Sequence, residues 1–247
     1  MKEERFFYVP RAAELSELPD EEASHAVRVL RMKEGDELML MDGEGTFFRA
    51  SLTQTGCKHC CYRIDEVLPQ QRTWNAHLHL AIAPTKMMER MEWLAEKATE
   101  VGIDELSFID CRFSERHSLK TPRIQKIVVS AMKQSRKPWM PQVNEMADFS
   151  HFIRCHTKGQ RFIAHCYDEV PRVNLFETLQ SLVQSSQDRV GQQEELLVLV
   201  GPEGDFSIDE VRMAVDAGFV SVDLGKSRLR TETAGLVAVT MMQLSSQ

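Results

Sequence analysis

LLVLVGPEGDFS (196–207) and FVSVDLGKSRLRTETAGLVAVTMM (219–242) decide how this chain is read. Each begins as a short apolar, strand-like run and ends in a glycine-bearing turn. Leu197–Val200 leads into Gly201-Pro202-Glu203-Gly204, and Val220–Leu224 leads into Gly225. Open α/β folds place ligand sites in the loops that follow strand ends. Glycine there lets backbone approach a ligand or another backbone closely. The chemistry is therefore expected between these two turns.

Working outward, Ser207–Ala217 reads as a helix: Ser207 caps it, Glu210 completes a capping box and Gly218 ends it. Thr231–Leu244 reads as a closing helix. Upstream, the rhythm gives strands at His77–Ala83, Glu105–Ile109 and Arg161–His165. Helices fall at Lys86–Val101, at Pro122–Arg136 with Thr121 as cap, and at Asn174–Ser185. Met87, Met91, Leu94, Ala98 and Val101 step by four and three along one helical face. The polar stretch Gln184–Glu195 reads as a surface loop. Such alternation predicts a parallel sheet with helices on both faces.

Before residue 70 the pattern differs. Short strands are expected at Phe6–Val9, Glu37–Met41, Thr46–Thr53 and Cys60–Val67, with a turn at Asp42-Gly43-Glu44-Gly45. Asp20–Arg31 reads as a helix capped by Asp20. These elements predict a small β-rich barrel or sandwich over 1–70. The segment Pro69-Gln70-Gln71-Arg72 is the boundary to a second domain, 73–247.

The 247 residues suffice for a sizeable core, and no run is long enough to span a membrane. A formal charge of −7 means that any polyanion must meet a local patch. The N-terminal MKEERFFYVPR has no apolar core of a signal peptide, so the six cysteines are expected as reduced thiols in a cytoplasmic protein. Cys57-Lys58-His59-Cys60-Cys61 lacks the second ligand pair that structural zinc needs, and no metal is expected. His77 and His79 share one strand face and read as satisfied histidines. The glycine turns do not form G-x-G-x-x-G, which argues against a dinucleotide oxidoreductase, and they lack the lysine of a phosphate loop.

Two constellations remain. Arg228-Leu229-Arg230-Thr231-Glu232-Thr233 crowds two guanidinium groups, a carboxylate and two hydroxyls at a helix start, where anions are favoured. Between Cys111 and Pro141, Arg112, Arg116, Lys120, Arg123, Lys126, Lys133, Arg136 and Lys137 stand against Glu115 alone, a formal charge of +7. That segregation points to a polyanion surface, which His25, Arg28, Arg31 and Lys33 extend.

GPEGDFS, LGKSRLRTETA, RMEWLAEKATEVGI and AMKQSRKPWMPQV together resemble the ribosomal RNA small subunit methyltransferase E family of the SPOUT class. HAVRVLRMKEGDEL and the DGEG turn resemble that family's N-terminal domain, so the likeness spans nearly the whole chain. The resemblance implies a PUA-like RNA-binding barrel, then an α/β domain with a C-terminal trefoil knot. It implies a homodimer, S-adenosylmethionine as methyl donor, and methylation at N3 of one uridine in 16S ribosomal RNA. Carried over by position, Leu199, Val200, Gly201, Glu203 and Gly204 form one donor loop. Leu224, Gly225, Ser227, Leu229 and Arg230 form the other, with Thr231 and Thr233 at the helix start. From their crowding at one helix start, Arg230 is expected to stabilise the uridine anion or its neighbouring oxygens and Glu232 to orient it. His25, Arg28, Arg31, Arg112, Arg116, Lys133 and Arg136 are the expected RNA contacts. The family often has glycine where Asp205 stands, and other residues at Ser227 and Arg228. The alternatives are another RNA substrate, or a non-catalytic RNA-binding assembly factor.

Overall fold

The computed structural model describes residues 4–56, 59–186 and 194–247. Cys57, Lys58 and most of the expected 184–195 loop lie outside these residues. The chain separates into two compact units: Met1–Arg72 with Val129–Met140, and Thr73–Val128 with Pro141–Gln247.

In the first unit, β1 (Phe6–Tyr8), β2 (Glu37–Met41), β3 (Thr46–Gln54) and β4 (Cys61–Pro69) form one sheet in that order. β1 runs parallel to β2, and the later pairs are antiparallel. Alternate residues of β3, Phe48, Ala50 and Leu52, face a core with Phe7, Leu38 and Leu40. The turn after β2 forms as expected: Asp42 Oδ1 accepts from the Glu44 and Thr46 amides at 2.7 and 3.0 Å. Gly43 and Gly45 hold φ of 82° and 104° there. A Cβ at Gly45 would stand 2.8 Å from Trp139 Nε1, which is why this turn needs glycine and why 138–140 packs beside it. The helix expected over Asp20–Arg31 is shorter. It comprises α1 (Asp20–Ser24) followed by a π turn at His25–Val29. Pro19 is the N-cap, so Asp20 is the first helical residue, and its charge faces the helix dipole instead of capping an amide.

The second unit holds seven parallel strands in the order β7-β6-β5-β10-β8-β11-β9. They are β5 (Ala76–Ile82), β6 (Glu105–Asp110), β7 (Gln142–Asp148), β8 (Gln160–Ala164), β9 (Val173–Asn174), β10 (Glu194–Val200) and β11 (Val220–Asp223). The helices are α2 (Met88–Val101), α3 (Thr121–Ser135, shared with the first unit), α4 (Phe149–Cys155), α5 (Leu175–Ser186), α6 (Ile208–Asp216) and α7 (Thr231–Ser245). α2 and α5 pack with α7 on one face, and α4 with α6 on the other. β10 is central and buried from Leu196 to Val200, as its unbroken apolar run requires. Gly235 lets α7 lie flush on the sheet, since a Cβ there would meet Ile82 and Leu94 side chains at 3.0 and 3.1 Å. The apolar face of α2 is Met91, Leu94, Ala95 and Ala98. Met87 precedes the helix as its N-cap and is exposed. β7, α4 and β9 add to the elements expected from the sequence. Thr121 opens α3 as its first residue, with its hydroxyl on the Glu145 carboxylate.

His77 and His79 are satisfied side chains. His77 Nε2 lies 2.9 Å from Glu105 Oε2, and His79 Nε2 lies 2.7 Å from Ser107 Oγ. Burial pushes the His79 imidazole down to about 4. Burial alone would raise Glu105, but the His77 hydrogen bond and neighbouring imidazoles bring it to about 2. The unfolded chain therefore takes up His79's proton below pH 6.5 while the native state does not, which lowers stability between pH 6.5 and 4. Glu105's contribution is full above pH 4.5 and is lost toward pH 2. His77, raised mainly by its bond to Glu105, acts oppositely: its contribution is full below pH 6.5. Denaturant unfolding should show a net loss on the order of 2–3 kcal/mol between pH 6.5 and 4, because each pH unit between a group's folded and unfolded pKa is worth about 1.4 kcal/mol. A His79→Gln variant should flatten that limb; an unchanged slope would assign the loss elsewhere.

Candidate active site

Both glycine turns lie at the carboxyl edge of the parallel sheet, after β10 and β11. Together they wall a cavity of about 520 Å³, a size suited to a small ligand. Of the expected donor-loop residues, Val200, Gly201, Glu203, Gly204, Leu224, Gly225, Ser227, Leu229 and Thr231 line it, and so does Arg230. Leu199 is buried in β10, and neither it nor Thr233 is part of the lining. Gly225 has φ +108° with nothing within 4 Å of where a Cβ would project, so its bareness leaves open space.

The floor and the loops are held by specific bonds. Glu203 Oε1 accepts from the Lys86 amide at 3.1 Å, tying the 201–206 loop to the segment between β5 and α2. Arg116 donates to the Thr85 and Lys86 carbonyls at 3.2 and 2.6 Å, fixing that segment in turn. The capping box of α6 forms: the Ser207 hydroxyl accepts from the Glu210 amide, and Glu210 Oε2 accepts from the Ser207 amide. The other oxygen of Glu210 accepts from the Arg112 amide at 2.8 Å. One carboxylate thus caps a helix and anchors the loop after β6.

Asp205 accounts for its departure from glycine. It holds φ +68°, a region where a short polar side chain is tolerated best after glycine. Its Oδ2 accepts from the Cys166 amide and its Oδ1 from the Phe206 amide, both at 2.8 Å. The carboxylate therefore stitches the 201–206 loop to the segment after β8. Asp205→Gly should cost the two bonds, while Asp205→Ala adds left-handed strain, for about 1–2 and 2–4 kcal/mol respectively. Denaturant midpoints check the order; an alanine variant more stable than the glycine one would refute it.

At the start of α7, Arg230 is the N-cap and supplies no side-chain cap; the Ala234 amide bonds its carbonyl at 2.8 Å. Thr231 is buried as the first helical residue. Glu232 is buried, and its partner is Arg90 of α2: Arg90 Nε lies 3.6 Å from Glu232 Oε1. Glu232 Oε2 has no hydrogen-bond partner.

The cavity also takes in residues that sequence reasoning missed: Arg90, Ala164, His165, Cys166 and Arg172. The 164–166 group follows a strand end on the same sheet edge, a signal the sequence does carry. Arg90 has no such signal. His165 Nδ1 accepts from the Tyr167 amide at 3.2 Å, and burial lowers its pKa. The five described cysteines are free thiols. No cluster of metal-holding side chains occurs among the described residues, and no described helix is long and apolar enough to cross a membrane.

The expected RNA contacts are distributed over both units. Arg112 is exposed, 3.3 Å from Asp209, with its guanidinium over Phe113. Lys133 is half-buried with its Nζ 2.6 Å from Glu22 Oε1. Arg136 lies 3.8 Å from Glu4 and sits over the Phe6 ring. His25, Arg28 and Arg31 are exposed on the first unit.

An RNA methyltransferase domain model matches residues 72–243, and an RNA methyltransferase PUA domain model matches 18–64. A Synechocystis ribosomal RNA small subunit methyltransferase E is 30% identical over 87% of this chain and 68% of its own length. The chain belongs to the ribosomal RNA small subunit methyltransferase E family. Its Rickettsia conorii member is 27% identical over 99% of this chain and 96% of its own. Among solved structures, a probable rRNA methyltransferase from Porphyromonas gingivalis is 41% identical, covers 98% of both chains and superposes with a TM-score of 0.84. The Neisseria gonorrhoeae small subunit methyltransferase E, solved with S-adenosylmethionine bound, is 25% identical over 98% of both chains, with a TM-score of 0.80. As a family member, this chain carries its glycine-walled cavity inside the matched RNA methyltransferase domain.

Proposed function

We propose that the protein transfers a methyl group from S-adenosylmethionine to N3 of a uridine in 16S ribosomal RNA. The observation that carries this reading is the cavity walled by 200–205 and 222–231, with Arg230 at its helix-capped end. Its volume, its bare glycine backbone and its carboxylates suit a nucleoside that bears a cation. When bound, the donor supplies a methyl group on a positively charged sulfur that leaves as a neutral thioether.

The remaining demands fall on the chain. An imide nitrogen is a good nucleophile only after losing its proton, so the site must align the base and favour its anion. Arg230 and the N-terminus of α7 bring positive potential to the place where that charge develops. The proton passes to solvent. The base must leave its stack to reach the cavity, which RNA-modifying enzymes achieve on single-stranded or extruded nucleotides.

RNA docking falls to the exposed cations Arg112 and Arg136, to half-buried Arg116, and to His25, Arg28 and Arg31 of a PUA-like barrel; Lys133 contributes with its charge shared by Glu22. Such phosphate contacts make binding salt-dependent. The placement of β10 between β5 and β8, and of β11 between β8 and β9, supports the trefoil knot. Exposed Trp93 on α2 and Leu244 on α7 support a homodimer. The cytoplasm, where ribosomes assemble, is the matching compartment.

The test is to digest 16S ribosomal RNA from cells with and without the gene and identify the methylated nucleoside by mass spectrometry. Loss of one N3-methyluridine, restored by the purified protein with labelled donor, is expected. An unchanged nucleoside profile would leave the assembly-factor reading; loss of a transfer-RNA methylation would reassign the substrate.

A further inference from the structure

Glu232 presents a problem of its own. Its carboxylate is about nine-tenths buried, Oε1 meets only the flank of Arg90 at 3.6 Å, and Oε2 has no partner. A buried carboxylate oxygen left unpaired is costly and calls for a reason. Across the pair, Arg90 reaches into the cavity, about two-thirds buried, and among the described residues neither of its Nη atoms has a hydrogen bond. An aligned guanidinium would satisfy both oxygens of Glu232 and still present donors on its other side. What stands here is a half-made pair with a free face toward the ligand.

We propose that Arg90 is a catalytic residue: its guanidinium, oriented by Glu232, donates to a carbonyl oxygen beside N3 of the acceptor base and holds the charge that proton loss leaves there. This rests on the uridine reading above. Glu232 is then a positioning residue that acts through Arg90. The other carboxylates of the cavity are placed differently. Glu203 and Asp205 hold backbone amides of neighbouring loops, and Asp223 Oδ1 accepts from the Gly225 amide at 2.9 Å. Of the remaining cations, Arg172 is bound to the His165 carbonyl and to Asp168, both at 2.8 Å. Arg228 and Arg230 enter from the segment between β11 and α7. Arg90 enters from α2, which packs against α7, and so reaches the cavity from a different element than Arg228 and Arg230. Burial lowers the His165 pKa and so disfavours its charged form.

The test compares wild type, Arg90→Ala, Arg90→Lys, Glu232→Gln and the Arg90→Ala/Glu232→Gln pair, all checked for native melting. Arg90→Ala should lower kcat about 100-fold near neutral pH, and the deficit should shrink as rising pH supplies the anion without help. The affinity for S-adenosylmethionine by calorimetry should stay within about twofold, because the contact is to the acceptor. Added guanidinium should partly restore Arg90→Ala. Glu232→Gln should show a smaller, similarly pH-dependent loss, and the double variant should be no slower than Arg90→Ala. A wild-type kcat in Arg90→Ala overturns the proposal. A pH-independent loss with weakened donor binding also overturns it, and places Arg90 on the donor's carboxylate. These outcomes leave the uridine reading standing. Wild-type protein that labels a base other than uridine overturns both.

Discussion

Gly201→Val should weaken S-adenosylmethionine binding by on the order of 100-fold while leaving the protein folded. A Cβ at this position would stand 3.0 Å from the Phe206 amide nitrogen, 3.1 Å from its ring and 3.2 Å from the Asp205 carbonyl carbon. Two of those atoms are backbone, locked by the bonds of Asp205 to Cys166 and Phe206 and by the capping box that follows. The branched side chain cannot be accommodated by a rotamer change, so the 201–206 loop must move out of its place on the cavity wall. Overpacking of this kind costs about 1–3 kcal/mol, and a displaced loop converts it into lost affinity at about 1.4 kcal/mol per tenfold. Calorimetry with the donor measures it, and a thermal melt near that of wild type separates loop displacement from unfolding. Undiminished affinity would mean that this loop is not the donor wall.

Arg230→Ala should reduce kcat by about 10²–10³-fold with donor affinity changed only a few-fold, the magnitude associated with removing one donor from a developing anion. The side chain stands at the N-cap of α7, exposed in the cavity and with no cap bond of its own to lose. Truncation therefore removes charge and reach without unseating the helix. Single-turnover rates with saturating RNA and donor test this. A fall in donor affinity equal to the fall in rate would make Arg230 a donor-binding group, and an unchanged rate would remove it from the chemistry. Paired with the Arg90 series, this experiment tells whether two guanidinium groups share the anion or one carries it.

Much of the second unit was legible because its signals are local. Leu196–Val200 is apolar throughout because the strand is covered on both faces. The Ser207–Glu210 box is complete within four residues. In the first unit, Asp42 and the glycines that follow define a turn through short-range hydrogen bonds and positive φ values. β7 escaped because QVNEMAD lies at a sheet edge, pairs only with β6 and leaves most of its residues half-covered, so no alternation shows. α4 is seven residues long, too short to display a period, although Asp148 caps it by accepting from the His151 amide. Met87 fits the spacing of the α2 face but falls before the first turn. The assignment of 129–140 to the first unit follows from Trp139 beneath Gly45, a contact without any sequence signature.

The amino-acid order by itself determined the parallel α/β plan, the two glycine turns and the charged start of α7, because dihedral sterics, capping bonds and hydrophobic period act over a few neighbours. Only the tertiary structure decided that the two turns share one cavity, that Asp205 fastens one of them to the segment after β8, and that Glu232 answers to Arg90 instead of Arg230. Those relations are made by side chains far apart in the chain, and strand order brings them together.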